Sequence, residues 1–396
     1  MEWKRKVDEL ARALAKARLV DAGLDAELAE LSERDEDAAA RTALAWLAEH
    51  ELVGWTVPAA HGGAPTGGLC PEDDVSVRAL VDLRMELAFA SGMLDVMFVM
   101  QGLGSYALAR GGSDALRAEV LPAVARGERV AAFALTEPNA GSSLGEVTTR
   151  AERGGDEWRL SGTKVYISNA GIADVYTVLA RTSGEPGGRD GGEGLTMFYV
   201  PGDHPGLEVE RFEVMAPHPI GELRLDGVAV PDAWRLGEVG GGLDLALGTL
   251  GRFRTSVAAA ACGFARRAIV ESREHLTHRR QFGKPLAANQ ALRFDLAEME
   301  TRLVAAELLT HRAAERLDAG LDAGRDVARA KLFATEAASW ICDRAVQHHG
   351  GLGVKRGSVV ERLFRDVRAL RIYEGTSEVQ KLILAKALLA EGPDRG

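Results

Sequence analysis

The period of the hydrophobic pattern changes twice along this chain, and that double change limits the possible folds more than any other feature. Up to about residue 128 the apolar residues recur at helical spacing. Val7, Leu10 and Leu14 stand at i, i+3 and i+7, and Leu44, Leu47 and Leu52 continue a similar stripe. The stretch PAAHGGAPTGG at 58–68 interrupts this pattern and reads as a loop. Helical spacing resumes from Val75 to about Ala109, and Leu121-Pro122 and Arg126-Gly127-Glu128 mark an exit. From about 129 to 238 the pattern shortens into β-forming runs at 130–135, 146–151, 163–168, 175–180, 195–200 and 207–212, with turn residues between them. The segment SGEPGGRDGGEG at 183–194 is too glycine-rich to pack and reads as an exposed hairpin loop. Beyond about 239 the pattern is helical again, with long alanine-, leucine- and arginine-rich segments at 240–277, 287–319, 325–349 and 376–391. The expected class is α+β: an N-terminal helical domain (1–128), a middle β-barrel or sandwich domain (129–238) and a C-terminal four-helix bundle (239–396).

Length agrees, since 396 residues at roughly 150 per domain make two or three domains. The hydrophobic share of 46% is enough for a sizeable core. A net charge of −10 without a basic tract argues against nucleic acid or an anionic membrane as the partner. Cys70, Cys262 and Cys342 lie far apart and include no CxxC, so they read as small buried core residues in a reducing compartment. No unbroken apolar run approaches the roughly 20 residues of a membrane span; the longest surrounds 257–265. The first residues, MEWKRKVDELARALAKARLV, mix acids with bases and lack the apolar centre of a signal peptide. They read as a helix of a cytoplasmic protein.

Generic motifs mostly fail. The chain has neither GxxxxGK[ST] nor GxSxG, and the clusters Gly240-Gly241-Gly242 and Gly350-Gly351-Leu352-Gly353 do not sit in a βαβ unit. His275 and His278 share a helical face without an identifiable third ligand, so no metal is expected. Five longer segments remain: LTEPNAGS (135–142), GTKVYISNAG (162–171), RRQFGKPL (279–286) with Gln290, AVQHHGGLG (345–353) and IYEGTSEVQ (372–380). Thr376 or Ser377 in the last of these suits a helix cap.

Together, and in this order, these segments resemble the acyl-CoA dehydrogenase family of flavoproteins from about residue 50 to residue 388. The three-part texture fits that family as well. The resemblance implies FAD as cofactor. Phe133, Leu135, Thr136, Ser142, Tyr166 and Ile167 fall at cofactor positions, with Ser168 placing its hydroxyl near the flavin N5. Tyr166-Ile167-Ser168 replaces the family's usual Trp-Ile-Thr, which keeps a hydroxyl and a smaller aromatic wall. Arg279 and Phe282 match residues that meet the FAD of a neighbouring subunit, where a guanidinium suits a pyrophosphate. Gln347, Gly350 and Gly351 match a segment approaching the FAD across the same interface, and Thr376 and Glu378 also match FAD contacts. Sites shared in this way imply a homo-oligomer, usually a tetramer built as a dimer of dimers.

The resemblance assigns Glu374 as the base that removes a proton from the carbon beside an acyl thioester, while a hydride leaves the next carbon for the flavin. Taken alone, a Glu before Gly-Thr also reads as a helix-entry residue. A dry site raises a carboxyl pKa and so makes a carboxylate an adequate base for a carbon acid. The thioester oxygen is expected to be held by the Glu374 N–H and a ribityl hydroxyl. Ser142, Phe253, Arg254, Tyr373 and Gly375 are the implied substrate contacts. Phe253 occupies an alternative base position, and Phe is no base, which favours Glu374. The implied acceptor is an electron-transfer flavoprotein.

Two departures bear on the substrate. Ser143 stands where the family usually has Asp, and Pro217-His218-Pro219-Ile220-Gly221 replaces a Ser-x-Thr segment. His218 reads either as a turn residue or as a contact to the flavin or the pantetheine arm. The acyl group sits on CoA or on an acyl carrier protein, for which Arg356, Arg362, Arg365 and Arg368 form a candidate basic rim. An oxidase on the same fold and a non-catalytic binding protein are the other readings.

Overall fold

The structure is a computed structural model that describes residues 2–20, 22–187 and 192–390, so part of the expected 183–194 loop lies outside the described residues. The chain opens with helices α1 (Glu2–Ala17), α2 (Ala22–Ser32), α3 (Glu36–Glu49), α4 (Val77–Ala90), α5 (Gly92–Gly111) and α6 (Asp114–Ala125). Strands follow: β1 (Ala131–Ala134), β2 (Arg150–Gly154), β3 (Glu157–Ser168), β4 (Val175–Arg181), β5 (Leu195–Pro201), β6 (Leu207–Arg211), β7 (Ile220–Pro231) and β8 (Arg235–Leu236). Then come α7 (Gly242–His278), the hairpin β9 (Arg280–Gln281) and β10 (Lys284–Pro285), and helices α8 (Gln290–Asp318), α9 (Gly324–His349), α10 (Val359–Leu370) and α11 (Ser377–Ala390).

These elements form two compact units. The first holds described residues 2–16, 26–76, 96–187 and 192–253. Its sheet runs β6-β7-β3-β2-β4-β5-β8, with β1 parallel to β4 off that path. β4 is buried along its whole length and β5 up to its last residue, as continuous apolar runs require in a sheet centre. The edge strand β6 carries Glu208, Glu210 and Arg211, charges that discourage further pairing. Sequence periodicity misses the long strand β7. Its alternation is present, with Leu223, Leu225, Val228 and Val230 buried, but Asp226-Gly227 reads as a turn.

The second unit holds described residues 17–20, 22–25, 77–95 and 254–390. Its core joins Val77, Val81 and Met85 of α4 to the alanine run 258–261 of α7 and to Met299, Val327, Ile341, Leu363 and Val367. A Cβ at Gly263 would lie 2.4 Å from Met85 O, so α4 and α7 pack closer than any side chain allows. Helix α10 was not expected from the pattern. Pro122 falls inside α6 rather than after it, and helical spacing from Val75 conceals a break at Ser91 between α4 and α5. Helix α5 also corrects the expectation about apolar length. By length and composition it suffices to cross a membrane, and 89% of its apolar window is buried inside the structure. Counting unbroken apolar residues misses it because Gly, Ser and Gln are tolerated within such a helix. All three cysteines are buried and free, as expected.

One buried ion pair ties the loop after β1 to strand β3 in the first unit. Lys164 Nζ donates to Glu137 Oε1 at 2.8 Å and to Leu135 O at 3.0 Å, with both side chains almost fully buried. Glu137 also accepts from the Thr148 N–H, the Thr148 hydroxyl and the Thr149 N–H. Burial alone would raise the Glu137 pKa. Lys164 and these hydrogen bonds overcome it and hold the carboxyl at about 2. Replacing Lys164 with Met strands a buried carboxylate, so stability should fall by about 3–5 kcal/mol in urea unfolding. The double variant Lys164→Met/Glu137→Gln should recover much of that loss, and equal losses in both would contradict the ion-pair account.

Candidate active site

The segment IYEGTSEVQ forms the turn between α10 and α11. Glu374 and Gly375 both adopt left-handed backbone, with φ of 51° and 91°. Two such residues in succession are costly when the first carries a Cβ, so the surroundings must hold them. The holding groups are side chains acting on backbone carbonyls. Arg254 Nε donates to Glu374 O at 2.7 Å, while Lys331 Nζ and Gln380 Nε2 both donate to Gly375 O, at 2.7 and 2.9 Å. A Cβ on Gly375 would lie 2.7 Å from Gln380 Nε2, which explains glycine there. Thr376 accepts from the Val379 N–H and so caps α11, while Ser377 donates to Glu336 at 2.7 Å.

The Glu374 carboxyl is withdrawn from water. Its pKa is raised, first by burial and also by Asp95; Arg84, Arg254 and Lys331 pull the other way without cancelling the rise. The residue as a whole is half-buried, but its Oε2 atom is buried and accepts no hydrogen bond from the described residues. Of the opposing cations Arg84 and Lys331 are buried and Arg254 is half-buried. Arg84 spans Asp95 through two bonds, at 2.7 and 3.2 Å, and donates to Ser256 at 2.9 Å. Burial works against the charge of Arg84, and Asp95, with Tyr373 and Glu374, more than offsets it. Burial lowers the Lys331 ammonium to about 8, against the pull of Glu374. Tyr373 packs against the core of the same unit.

The first unit brings two of the sequence segments side by side. Val165 N–H donates to Thr136 O at 2.9 Å, and Lys164 reaches Leu135 O, so the LTEPNAGS and GTKVYISNAG segments share one edge. Phe133, Leu135 and Ile167 are buried and Thr136 half-buried. Tyr166 has φ 57° and remains 66% exposed, edge-on to Phe212. Ser142 is exposed. Ser168 Oγ lies 3.2 Å from His218 Nε2, a pairing that sequence reasoning did not foresee. Phe253, also in this unit, is wholly buried; its ring covers Gly102 and meets Tyr106 edge-on at 5.7 Å.

The remaining positions lie in the second unit. Phe282 and Gly283 have φ of 50° and 76° and form the tip of the β9–β10 hairpin. Phe282 is fully exposed, which is costly for an aromatic ring and points to an external partner. Arg279 and Gln347 are exposed as well. Gly350 and Gly351 have open space where a Cβ would stand, so nothing in this chain prevents a close approach there. Glu378 is exposed in the first turn of α11. Within this unit an exposed aromatic in strained backbone, an exposed Arg three residues before it and open glycines fit a large aromatic anionic cofactor such as FAD. Among the described residues no group of three or more His, Cys, Asp or Glu could hold a metal ion, and His275 stacks on His349 instead.

Sequence reasoning missed Arg84, Lys331, Gln380, Glu137 and Lys164. Lys331 left a trace, as the one lysine in the alanine-rich ARAKLFA of α9, two residues after Arg329. Replacing Lys331 with Met removes one cation facing Glu374. The Glu374 titration should then move to higher pH, as read by difference infrared spectroscopy against a Glu374→Gln control. An unmoved titration would show that Lys331 acts on the Gly375 carbonyl alone.

The chain matches the family descriptions "Acyl-CoA dehydrogenase, N-terminal domain" over residues 4–128, "middle domain" over 132–228 and "C-terminal domain" over 240–389. It is 38% identical over 348 residues to the 3-(aryl)acrylate reductase of Clostridium sporogenes, covering 87% of this chain and 89% of the relative. It is 33% identical to the caffeyl-CoA reductase-Etf complex subunit CarC of Acetobacterium woodii, with 98% of each covered. Among solved structures, butyryl-CoA dehydrogenase from Megasphaera elsdenii superposes with a TM-score of 0.83 at 31% identity, covering 97% of this chain and 98% of that one. With all three family domains matched in order along nearly its whole length, this chain belongs to the acyl-CoA dehydrogenase family of FAD-dependent oxidoreductases.

Proposed function

We propose that this enzyme converts an acyl-CoA thioester to the 2-enoyl thioester with Glu374 as the base. The observation that carries the proposal is the Glu374 carboxyl: buried, raised in pKa, unpaired at Oε2 and set on a turn held by three donors. A base of this kind takes the proton from the carbon beside the thioester carbonyl. Bound FAD supplies the acceptor for the hydride that leaves the neighbouring carbon. Phe133, Leu135, Thr136, Tyr166, Ile167 and Ser168 are the residues assigned to its ring, with Arg279 and Phe282 serving a neighbouring copy. The fully exposed Phe282 supports that sharing, and hence a dimer of dimers. Arg254 and Lys331 hold the turn, and with Arg84 they keep the ionised base accessible.

Electrons pass to an electron-transfer flavoprotein on this reading, which the Etf in the name of the CarC complex supports. CoA is preferred over an acyl carrier protein as the carrier. Two arginines of the candidate rim are already engaged, Arg362 with Asp25 at 2.9 Å and Arg365 with Glu361 at 2.7 Å. Two relatives bear reductase names, and the same groups serve the reverse direction, with protonated Glu374 returning the proton.

An anaerobic visible spectrum with a panel of acyl-CoA thioesters tests the proposal. Bleaching of the flavin band by one class of thioester is the expected result. Bleaching only by carrier-bound acyl groups would move the substrate to a carrier protein, and reoxidation only by enoyl thioesters would reverse the working direction. Glu374→Gln should keep FAD and slow bleaching by about a hundred- to ten-thousand-fold; an unchanged rate would remove Glu374 as the base. Only the ionised carboxylate accepts a proton, so the bleaching rate should rise with pH. With the pKa raised by burial, that rise should fall above the ordinary glutamate value of about 4.3.

A further inference from the structure

His218 stands where the sequence departs from its family's pattern, and the structure gives it a fixed partner. It lies between Pro217 and Pro219. Each proline fixes its own φ, and Pro219 also confines His218 to extended backbone. The next residues are pinned to the sheet: the Asn169 N–H donates to Pro219 O at 2.7 Å, and Ser168 pairs with Ile220 in register. The ring therefore has little freedom. Its Nδ1 lies 2.9 Å from Ala216 O and its Nε2 lies 3.2 Å from Ser168 Oγ.

Those two contacts settle where the hydrogens are. A carbonyl oxygen only accepts, so Nδ1 carries the ring hydrogen. Burial disfavours the imidazolium, and the charged group facing the ring is Arg211, which adds to that effect although Glu36 and Asp37 pair with it. The ring is neutral, Nε2 presents a lone pair, and the Ser168 hydroxyl is the donor. Its one hydrogen is thereby spent, and only oxygen lone pairs are left for any other neighbour.

We infer that His218 takes up the Ser168 hydroxyl hydrogen and leaves Ser168 a pure acceptor toward the flavin, which favours the reduced cofactor over the oxidised one. The inference rests on the reading that Ser168 faces the flavin N5. Oxidised isoalloxazine has a bare lone pair at N5, to which an acceptor-only hydroxyl offers nothing. The reduced ring carries N5–H, which such an oxygen accepts. A serine free to rotate would instead donate to the oxidised ring and stabilise that form.

The test is the flavin midpoint potential of the FAD-loaded protein, measured by dye equilibration without substrate. His218→Phe keeps an aromatic ring and removes the acceptor, and the potential should move to a more negative value. His218→Gln keeps an acceptor oxygen for the Ser168 hydroxyl and N–H donors for Ala216 O, and it should hold the wild-type value. In a Ser168→Ala background His218→Phe should have no further effect. Equal shifts in the Phe and Gln variants, or a full shift in the Ser168→Ala background, would overturn the inference. A Ser168→Ala potential that moves while His218→Phe leaves it unchanged would overturn it as well, with the flavin-facing reading intact. An unmoved potential in Ser168→Ala itself would overturn the reading on which the inference rests.

Discussion

A carboxyl group held out of water at Glu374 is the constraint around which the second unit is arranged. An isolated buried carboxylate is expensive, and a wholly neutral acid is useless as a base. The chain sets burial against three cations, Arg84, Arg254 and Lys331, and none of them forms a direct hydrogen bond to the carboxyl. Two bind carbonyls of the same turn, and the third is committed to Asp95. Their charge acts at a distance while their hydrogen bonds do structural work. Oε2 is thereby left unpaired among the described residues.

The first unit applies the same logic to a loop. LTEPNAGS has no regular structure beyond its short β1 lead-in, and exposed glycine and asparagine would leave it loose. Glu137 gathers donors from Lys164, Thr148 and Thr149, and this converts the loop into a fixed edge beside β3. Two segments that look like separate recognition motifs are in this respect one device. The Ser168–His218 pair lies at the far end of β3, where the strand gives way to the left-handed Asn169.

Much of the architecture was legible from periodicity. The four long C-terminal helices, β4 and β5 showed because length and continuous apolarity leave few alternatives. Strand β7 was hidden by Asp226-Gly227, and α10 by its arginines, although Val360, Leu363 and Val367 form a buried stripe within it. The break at Ser91 was invisible because both flanking helices are apolar on several faces. At the site, the family segments marked Glu374, Ser168 and Arg279, since a contiguous motif survives in one dimension. They did not reach Lys331 or Arg84, and they included Gln380 without a role, since the importance of these residues comes from what they touch.

The sequence by itself determined the α+β class, the order of helical and β segments and the family, because these depend on local period and on short runs of residues in register. It also marked the carboxylate that stands in the IYEGTSEVQ segment. Tertiary structure alone decided the charge environment of that carboxylate, the coupling of Glu137 to Lys164 and the donor direction of the Ser168 hydroxyl. Each depends on distances of about 3 Å between residues 27 to 50 positions apart, or further still, and on the loss of water around them. Desolvation and hydrogen-bond direction are properties of a packed arrangement, and no spacing along the chain encodes them.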